Sequence, residues 1–333
     1  MIDYLKGEPL QATTGIACWM ICSVGMMVFN KMAIAEFPLE CALVAMQMGF
    51  SVLVMLVFCW RSLHIGSWRD VMRWSVVVPF YTGMLLTSIL ALKNAPMTLV
   101  VTFRVMSPLL SLFIERFYPN PIRVSTSMMA SIVVMVLGTC LYASKMPRDN
   151  WTGAEWVILN MFLAVGDRLL QRLMLAQDQQ PVDISKTGVT LLNNLEGMVP
   201  LLFVAWLKGE FHQVPLALTH LSATGWCWVL ASCAVGAGIS YCGIWAQSMI
   251  SATSFLVLVN ANKFVIIFLE VTVLRAKTLH ALQVIGAIVS IFAGVWYGAA
   301  RAGLEQQAQP AKRDSVEEAH EANEREPLIA KKV

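Results

Sequence analysis

The sequence predicts an all-α polytopic membrane protein of ten transmembrane helices, arranged as two inverted five-helix repeats. Three observations predict it. Of 333 residues, 57% are hydrophobic and 14% charged, where an average soluble domain carries about 25% charged residues. Apolar runs recur along the chain, each long enough at about 1.5 Å per residue to cross a hydrocarbon core of about 30 Å. The two halves also share a sparse internal repeat.

Windows of about 19 residues place the spans in order. The first, 12 to 34, carries Lys31 as its one charge and starts close to the beginning of the chain with no small-residue cleavage site behind it, so it reads as a signal anchor. Phe37-Pro38 opens the second, 38 to 60. Arg61, Arg69 and Arg73 fill the link to the third, 73 to 92, and Ala95-Pro96 sets off the fourth, 97 to 116, which contains Arg104. Pro119-Asn120-Pro121 precedes the fifth, 124 to 144, and Met146-Pro147 the sixth, 152 to 172. The seventh, 188 to 207, holds Asn193, Asn194 and Glu196 and stops at Lys208-Gly209. The eighth, 224 to 247, is uncharged; the ninth, 251 to 272, contains Lys263; the tenth runs from 279 to 299. Pro and Gly mark the links because neither continues a helix well. The domains are therefore a short N-terminal segment 1–11, a helical domain 12–300 with repeats at about 12–148 and 149–300, and a polar tail 301–333 with no apolar period, expected to be disordered.

An even number of spans puts both termini on one side. The links and ends on that side hold 14 of the Lys and Arg residues against 6 on the other, so the positive-inside rule places both termini in the cytosol. The sequon Asn150-Trp151-Thr152 then falls on the lumenal side, close to the membrane. In the tail, Glu324 to Ile329 has the acidic dileucine form of a sorting signal, weighed against a tail with no address.

Composition also removes whole classes of function. The eight cysteines lie inside apolar runs with no CxxC pair or histidine cluster, so no metal site, disulfide framework or cofactor is expected. The net charge of +3 is sorted by loop and forms no patch for nucleic acid. The links are short and show no pair of acidic metal ligands or HxxxD pattern, so an enzyme is not expected.

Sliding the chain by 155 residues lays Phe113 on Phe268, Glu115 on Glu270 and Tyr142 on Tyr297. A repeat of five spans inserts its second copy upside down, and inverted halves place a substrate site near the bilayer midplane where they meet. Ionisable groups there cost about 2.5 to 3.5 kcal/mol each. Lys31, Arg168 and Arg172 lie near span ends and read as snorkelling to headgroups, with Asp167 a local partner. Arg104 and Lys263 lie deeper, and no sequence neighbour neutralises them. The repeat sets Lys263 over position 108, one turn from Arg104. Pairing with Glu196, Glu115 or Glu270 is the structural alternative for both. Asn193, Asn194, Glu196, Asn260 and Asn262 add amides and a carboxylate on spans seven and nine. Such a cavity suits a solute with phosphate at one end and a hydrogen-bonding ring at the other.

Gly238 to Trp245, Ser251 to Phe255 and Asn262-Lys263 resemble the segment through span nine of the nucleotide-sugar transporters in the drug/metabolite transporter superfamily, and most nearly their GDP-mannose branch. That branch carries GALNK in span nine and FYNN in span seven. Here the motifs read Val259-Asn260-Ala261-Asn262-Lys263 and Leu191-Leu192-Asn193-Asn194. The resemblance implies that Asn193 and Asn194 hold the nucleotide end, that Ser240 contacts the base, that Phe255 stands by the ribose, and that Asn262 and Lys263 serve phosphates and sugar. Arg104 is a candidate second phosphate contact. Val259 and Asn260 replace the small Gly-Ala pair, and Glu196 stands where the family has an apolar residue, which would repel a diphosphate unless it is paired.

The expected activity is exchange of a nucleotide sugar, GDP-mannose or a related GDP-sugar, for its nucleoside monophosphate across the Golgi membrane. A UDP-sugar or sugar-phosphate transporter of the same superfamily is the alternative, followed by a non-transporting receptor or scaffold. The partners are those two solutes and the bilayer, with a homodimer kept open beside the monomer.

Overall fold

Serine fixes where five of the helices begin. In the computed structural model, which describes residues 2–95, 97–121, 123–144, 152–272 and 280–304, Ser67, Ser125, Ser185, Ser222 and Ser251 each accept a hydrogen bond on Oγ from the amide three residues on, at 2.9 to 3.3 Å. Each satisfies a donor the first helical turn leaves unpaired, worth about 1 kcal/mol. At the first of these caps the Ser67 hydroxyl also donates to the Asp70 carboxylate, which holds that carboxyl below its ordinary range.

The helices in chain order are α1 (Ile2–Glu36), α2 (Glu40–Val57), α3 (Trp68–Ser75), α4 (Val77–Asn94), α5 (Met97–Glu115), α6 (Thr126–Ala143), α7 (Ala154–Leu175), α8 (Lys186–Leu207), α9 (Glu210–Thr219), α10 (Ala223–Met249), α11 (Ala252–Thr272) and α12 (Ala281–Leu304). Among the described residues there is no strand, only an isolated antiparallel bridge between Ile65 and Ile184. Each span expected from hydropathy overlaps a helix of 18 residues or more. Six, lying in α1, α2, α6, α8, α10 and α12, are long and apolar enough throughout to cross a membrane. Their outer faces carry large apolar side chains: Ile21, Leu137, Val199 and Phe292 are each more than 60% exposed. A surface of that kind belongs against lipid, since water-soluble chains seldom leave so much contiguous apolar area bare.

Two short helices, α3 and α9, occupy stretches expected to be loop, and α4 starts at Val77 where hydropathy set the third span at 73. A window of about 19 residues averages over an element of eight. In α3 the indole of Trp74 is buried while Trp68 and Met72 are exposed. Residues 301–304 of the expected tail continue α12 instead of being disordered; Asn150 of the sequon, tail residues 305–333 with the dileucine-like motif, Arg275 and Lys277 lie outside the described residues, as do the side chains of Lys31, Phe268 and Glu270.

Packing joins the first five long helices to the last five. The close pairs are α1 with α10, α4 with α7, α2 with α8, α2 with α10, α5 with α11 and α5 with α7. α6 meets α12 through Gly138 and Gly286, where a Cβ on Gly286 would stand 2.5 Å from the Tyr142 amide nitrogen and 2.6 Å from the Gly138 carbonyl. Beside them Thr139 and Ser290 share a hydrogen bond, and Ser290 Oγ donates to the Met135 carbonyl at 3.3 Å. Small residues allow this approach of two backbones in lipid. Gly286→Leu should therefore push α12 off α6 and lower stability by about 2 to 4 kcal/mol, read as a fall in melting temperature of the purified protein. A variant that melts with the wild type would mean that the contact contributes little.

Candidate functional site

On α1, residues 19, 23, 26 and 30 follow the i, i+4, i+7, i+11 rhythm of one helix face. Trp19, Ser23, Met26 and Asn30 form one wall of a cavity of about 280 Å³ whose other lining residues are Ile239 from α10 and Val259, Asn262 and Lys263 from α11. This is near the lower bound for small-molecule pockets, about 300 Å³, and gives room for one end of a larger solute. Lys263 stands about 16 Å along α11 from Ala252, at 1.5 Å per residue, which is half the thickness of a hydrocarbon core of about 30 Å.

Two features of this cavity call for a ligand. Lys263 has no carboxylate within ion-pairing distance among the described residues, and the charge that acts on it is that of another cation, Arg104. Asn262 is 1% exposed; its Nδ2 donates to Ser23 Oγ at 2.8 Å, while its Oδ1 is buried and has no donor. An unmade hydrogen bond at a buried polar atom costs about 1 to 3 kcal/mol, and an unpaired ammonium costs more. Lys263 and Asn262 both line this cavity, and the kind of ligand such a pair could take is an anion carrying a hydroxyl or N–H.

Arg104 reaches neutral acceptors instead. Its guanidinium donates to Ser88 Oγ at 2.6 Å and to Asn160 Oδ1 at 3.1 Å, and Asn160 in turn donates to the Met84 carbonyl and Thr87. The alternative reading, pairing of these cations with Glu196 or Glu115, does not occur among the described residues, and the Glu270 side chain lies outside them. Glu196 accepts from Ser75 Oγ at 3.1 Å. Glu115 turns to the start of α11, accepting from the amides of Ala252 and Thr253 and from the Thr253 hydroxyl. Asn260 Nδ2 donates to the Arg104 carbonyl at 3.1 Å, so that amide joins α11 to α5.

Asn193, Asn194, Ser240 and Phe255, the other expected site residues, are not among the lining residues of this cavity. Asn193 Oδ1 accepts from the Trp74 indole at 3.2 Å, and Asn194 Nδ2 donates to the Thr190 carbonyl within α8. No α8 residue lines this cavity. Ser240 follows the lining residue Ile239 on α10 and is half-buried. Phe255 is fully buried behind the wall, its ring centroid 4.9 Å from that of Trp19.

Arg168 corrects an expectation. It does not reach for headgroups but lies 4.8 Å over the Phe255 ring, donates to Gln247 Oε1 at 3.0 Å and pairs with Asp167 at 3.4 Å. Arg172, nearer the helix end, pairs with Asp178 at 3.0 Å. The residues that sequence reasoning missed are Trp19, Ser23 and Asn30. Their signal was two polar residues spaced by seven in an otherwise apolar run, weaker than the Asn pairs that drew attention to α8 and α11.

No family model matches the chain. Three Arabidopsis thaliana proteins are similar over most of its length. GDP-fucose transporter 1 is 24% identical over 80% of this chain and 80% of its own. GDP-mannose transporter GONST3 is 23% identical over 91% and 83%, and GDP-mannose transporter GONST2 is 23% identical over 86% and 78%. A crystal structure of a protein superposes with a TM-score of 0.60 at 15% identity, covering 88% of this chain and 98% of that one, a likeness of fold. The resemblance read from Asn262-Lys263 and the Asn193-Asn194 pair to nucleotide-sugar transporters, nearest the GDP-sugar branch, holds.

Proposed function

We propose that this chain is an antiporter that carries a GDP-sugar, GDP-mannose or a close relative, into the Golgi lumen and returns the nucleoside monophosphate. The observation that carries the reading is the Lys263 ammonium, which lines the cavity beside Asn262 and has no carboxylate within ion-pairing distance among the described residues, while Asn262 Oδ1 is buried without a donor. The names of the three relatives narrow the anion to a GDP-sugar. No bond is made or broken, so no catalytic group is needed.

The helix pairing supports two inverted halves of five spans. Exchanging the halves turns α1 with α10 into α7 with α4, and returns α2 with α8, α5 with α11, and α6 with α12 to themselves. Ser290, which bonds the Met135 carbonyl, lies 155 positions after it, the offset of the sequence repeat. Rocking of such halves about a central site gives alternating access, with both termini in the cytosol by the charge asymmetry.

Lys263 and Asn262 bind the phosphate and sugar end. Asn193, Asn194 and Ser240 are assigned the nucleoside end by resemblance, with Asn193 exchanging its Trp74 bond for the base, and Phe255 acts through Trp19. Arg104 adds positive potential. Glu196 bonds to Ser75 and is not among the residues that line the cavity with Lys263.

Proteoliposomes loaded with GMP test this. GDP-mannose and GDP-fucose should enter at least tenfold faster than UDP-sugars or sugar phosphates, and vesicles without internal nucleotide should show little uptake. Equal rates for UDP-sugars would overturn the substrate, and equal rates in unloaded vesicles would overturn exchange.

A further inference from the structure

The cavity holds two amides whose polarity is fixed to different degrees. An amide offers a donor half and an acceptor half, and the half left for a ligand depends on what the other must satisfy. For Asn30 a chain of hydrogen bonds settles the matter. The Val229 carbonyl can only accept, and the Ser232 hydroxyl donates to it at 2.7 Å, which uses its one hydrogen. Toward Gln47, Ser232 Oγ is then an acceptor, so Gln47 must present Nε2, and does so at 3.2 Å. The second Nε2 hydrogen goes to Asn30 Oδ1 at 2.6 Å. With Oδ1 taken, the N–H half of Asn30 remains for the cavity. Reversing Gln47 would set its oxygen against the spent Ser232 oxygen, and Gln47 is 4% exposed, so water could not repair the mismatch.

Asn262 is not held in this way. Its partner Ser23 is a hydroxyl, able to accept from Nδ2 as it does here or to donate to Oδ1 if the amide turns over. The cavity thus combines a fixed donor with an adaptable pair. A fixed N–H favours groups that only accept, such as phosphate oxygens, and an adaptable pair suits sugar hydroxyls, which do both.

Resting on the carrier function proposed above, we infer that Asn30 is a substrate-binding residue, a fixed donor to the anionic end that Lys263 attracts, and that Gln47 and Ser232 are its positioning residues. An alternative is that Asn30 merely joins α1 to α2 through Gln47.

Two substitutions separate these roles because they rank oppositely. Aspartate at position 30 still accepts from Gln47 Nε2, so a joining role predicts that Asn30→Asp behaves as wild type and Asn30→Ala does worse. A donor role predicts the reverse, because aspartate puts a negative charge where an oxyanion must sit. The experiment is thermal-shift titration of purified full-length protein with GMP, GDP-mannose and GDP-fucose, since a ligand stabilises by RT ln(1 + [L]/Kd). We expect Kd to rise about tenfold in Asn30→Ala and at least a hundredfold in Asn30→Asp, with Asn30→Asp melting close to wild type when no ligand is added. Gln47→Leu should raise the KM of exchange several-fold with a smaller fall in maximal rate. Asn30→Asp binding as tightly as Asn30→Ala, or tighter, overturns the donor role, and an unchanged KM in Gln47→Leu overturns the positioning role. Wild type that none of the three ligands stabilises would overturn the carrier itself, a result distinct from either.

Discussion

Lys263→Met should lose at least a hundredfold in exchange rate and yet melt at a higher temperature than the wild type. The two effects share one cause. A lysine near a helix centre costs about 2.5 to 3.5 kcal/mol on the insertion scale, and Lys263 recovers none of that from a carboxylate among the described residues while Arg104 opposes it. Methionine keeps the length of the side chain and removes the charge. An unpaired group kept against the interest of the fold is what a ligand site looks like in energetic terms. Lys263→Arg should retain part of the exchange, because it keeps the charge in a bulkier head. The checks are initial rates in proteoliposomes and unfolding curves of the same preparations. A Lys263→Met protein that is destabilised would assign the ammonium a partner within the fold, and one that exchanges normally would remove it from the site.

The second large effect is expected at Glu115, and here stability should fall. Its carboxylate, 1% exposed, accepts from the Ala252 amide at 2.8 Å and the Thr253 amide at 3.4 Å, and from the Thr253 hydroxyl, which also bonds Ser111. A negative charge at a helix N-terminus is favoured by the unpaired N–H groups and their dipole. Because α5 supplies the charge and α11 the amides, this contact fastens together the helices bearing Arg104 and Lys263. Glu115→Ala leaves several buried donors without an acceptor and should cost about 3 to 5 kcal/mol. Glu115→Gln, which keeps an acceptor oxygen, should cost about 1 to 2 kcal/mol. Chemical denaturation or thermal melting of the purified variants distinguishes the two. Equal losses in Ala and Gln would show that charge, and not the acceptor geometry, matters at this position.

How legible the site was in the sequence differs from residue to residue. Lys263 stood out because a charge deep in an apolar run is costly wherever the helix packs, and Asn262 followed from the motif it shares with Lys263. Asn193 and Glu196 gave an equally strong signal, yet the fold turns them to Trp74 and Ser75 at the junction of α3 and α4. The partners of Arg168 could not be read either: Gln247 lies 79 positions away, and without it the guanidinium looks like any cation near a span end. Asn30 gives a weaker signal in the sequence, because a lone amide in a span can equally well join helices, which half of its side chain does.

The sequence by itself determined the positions of the long helices and the presence of a few expensive polar groups within apolar runs. These are local quantities: whether a stretch of about 20 residues can lie in hydrocarbon depends on its own side chains and on backbone bonds it makes within itself. Only the tertiary structure decided which polar groups meet. Asn262 finds Ser23 at a separation of 239 positions, and Glu115 finds the start of α11 at 137. Satisfying a buried polar atom is a matching problem between distant helices, and each match made elsewhere determines which atoms remain unpaired in the cavity.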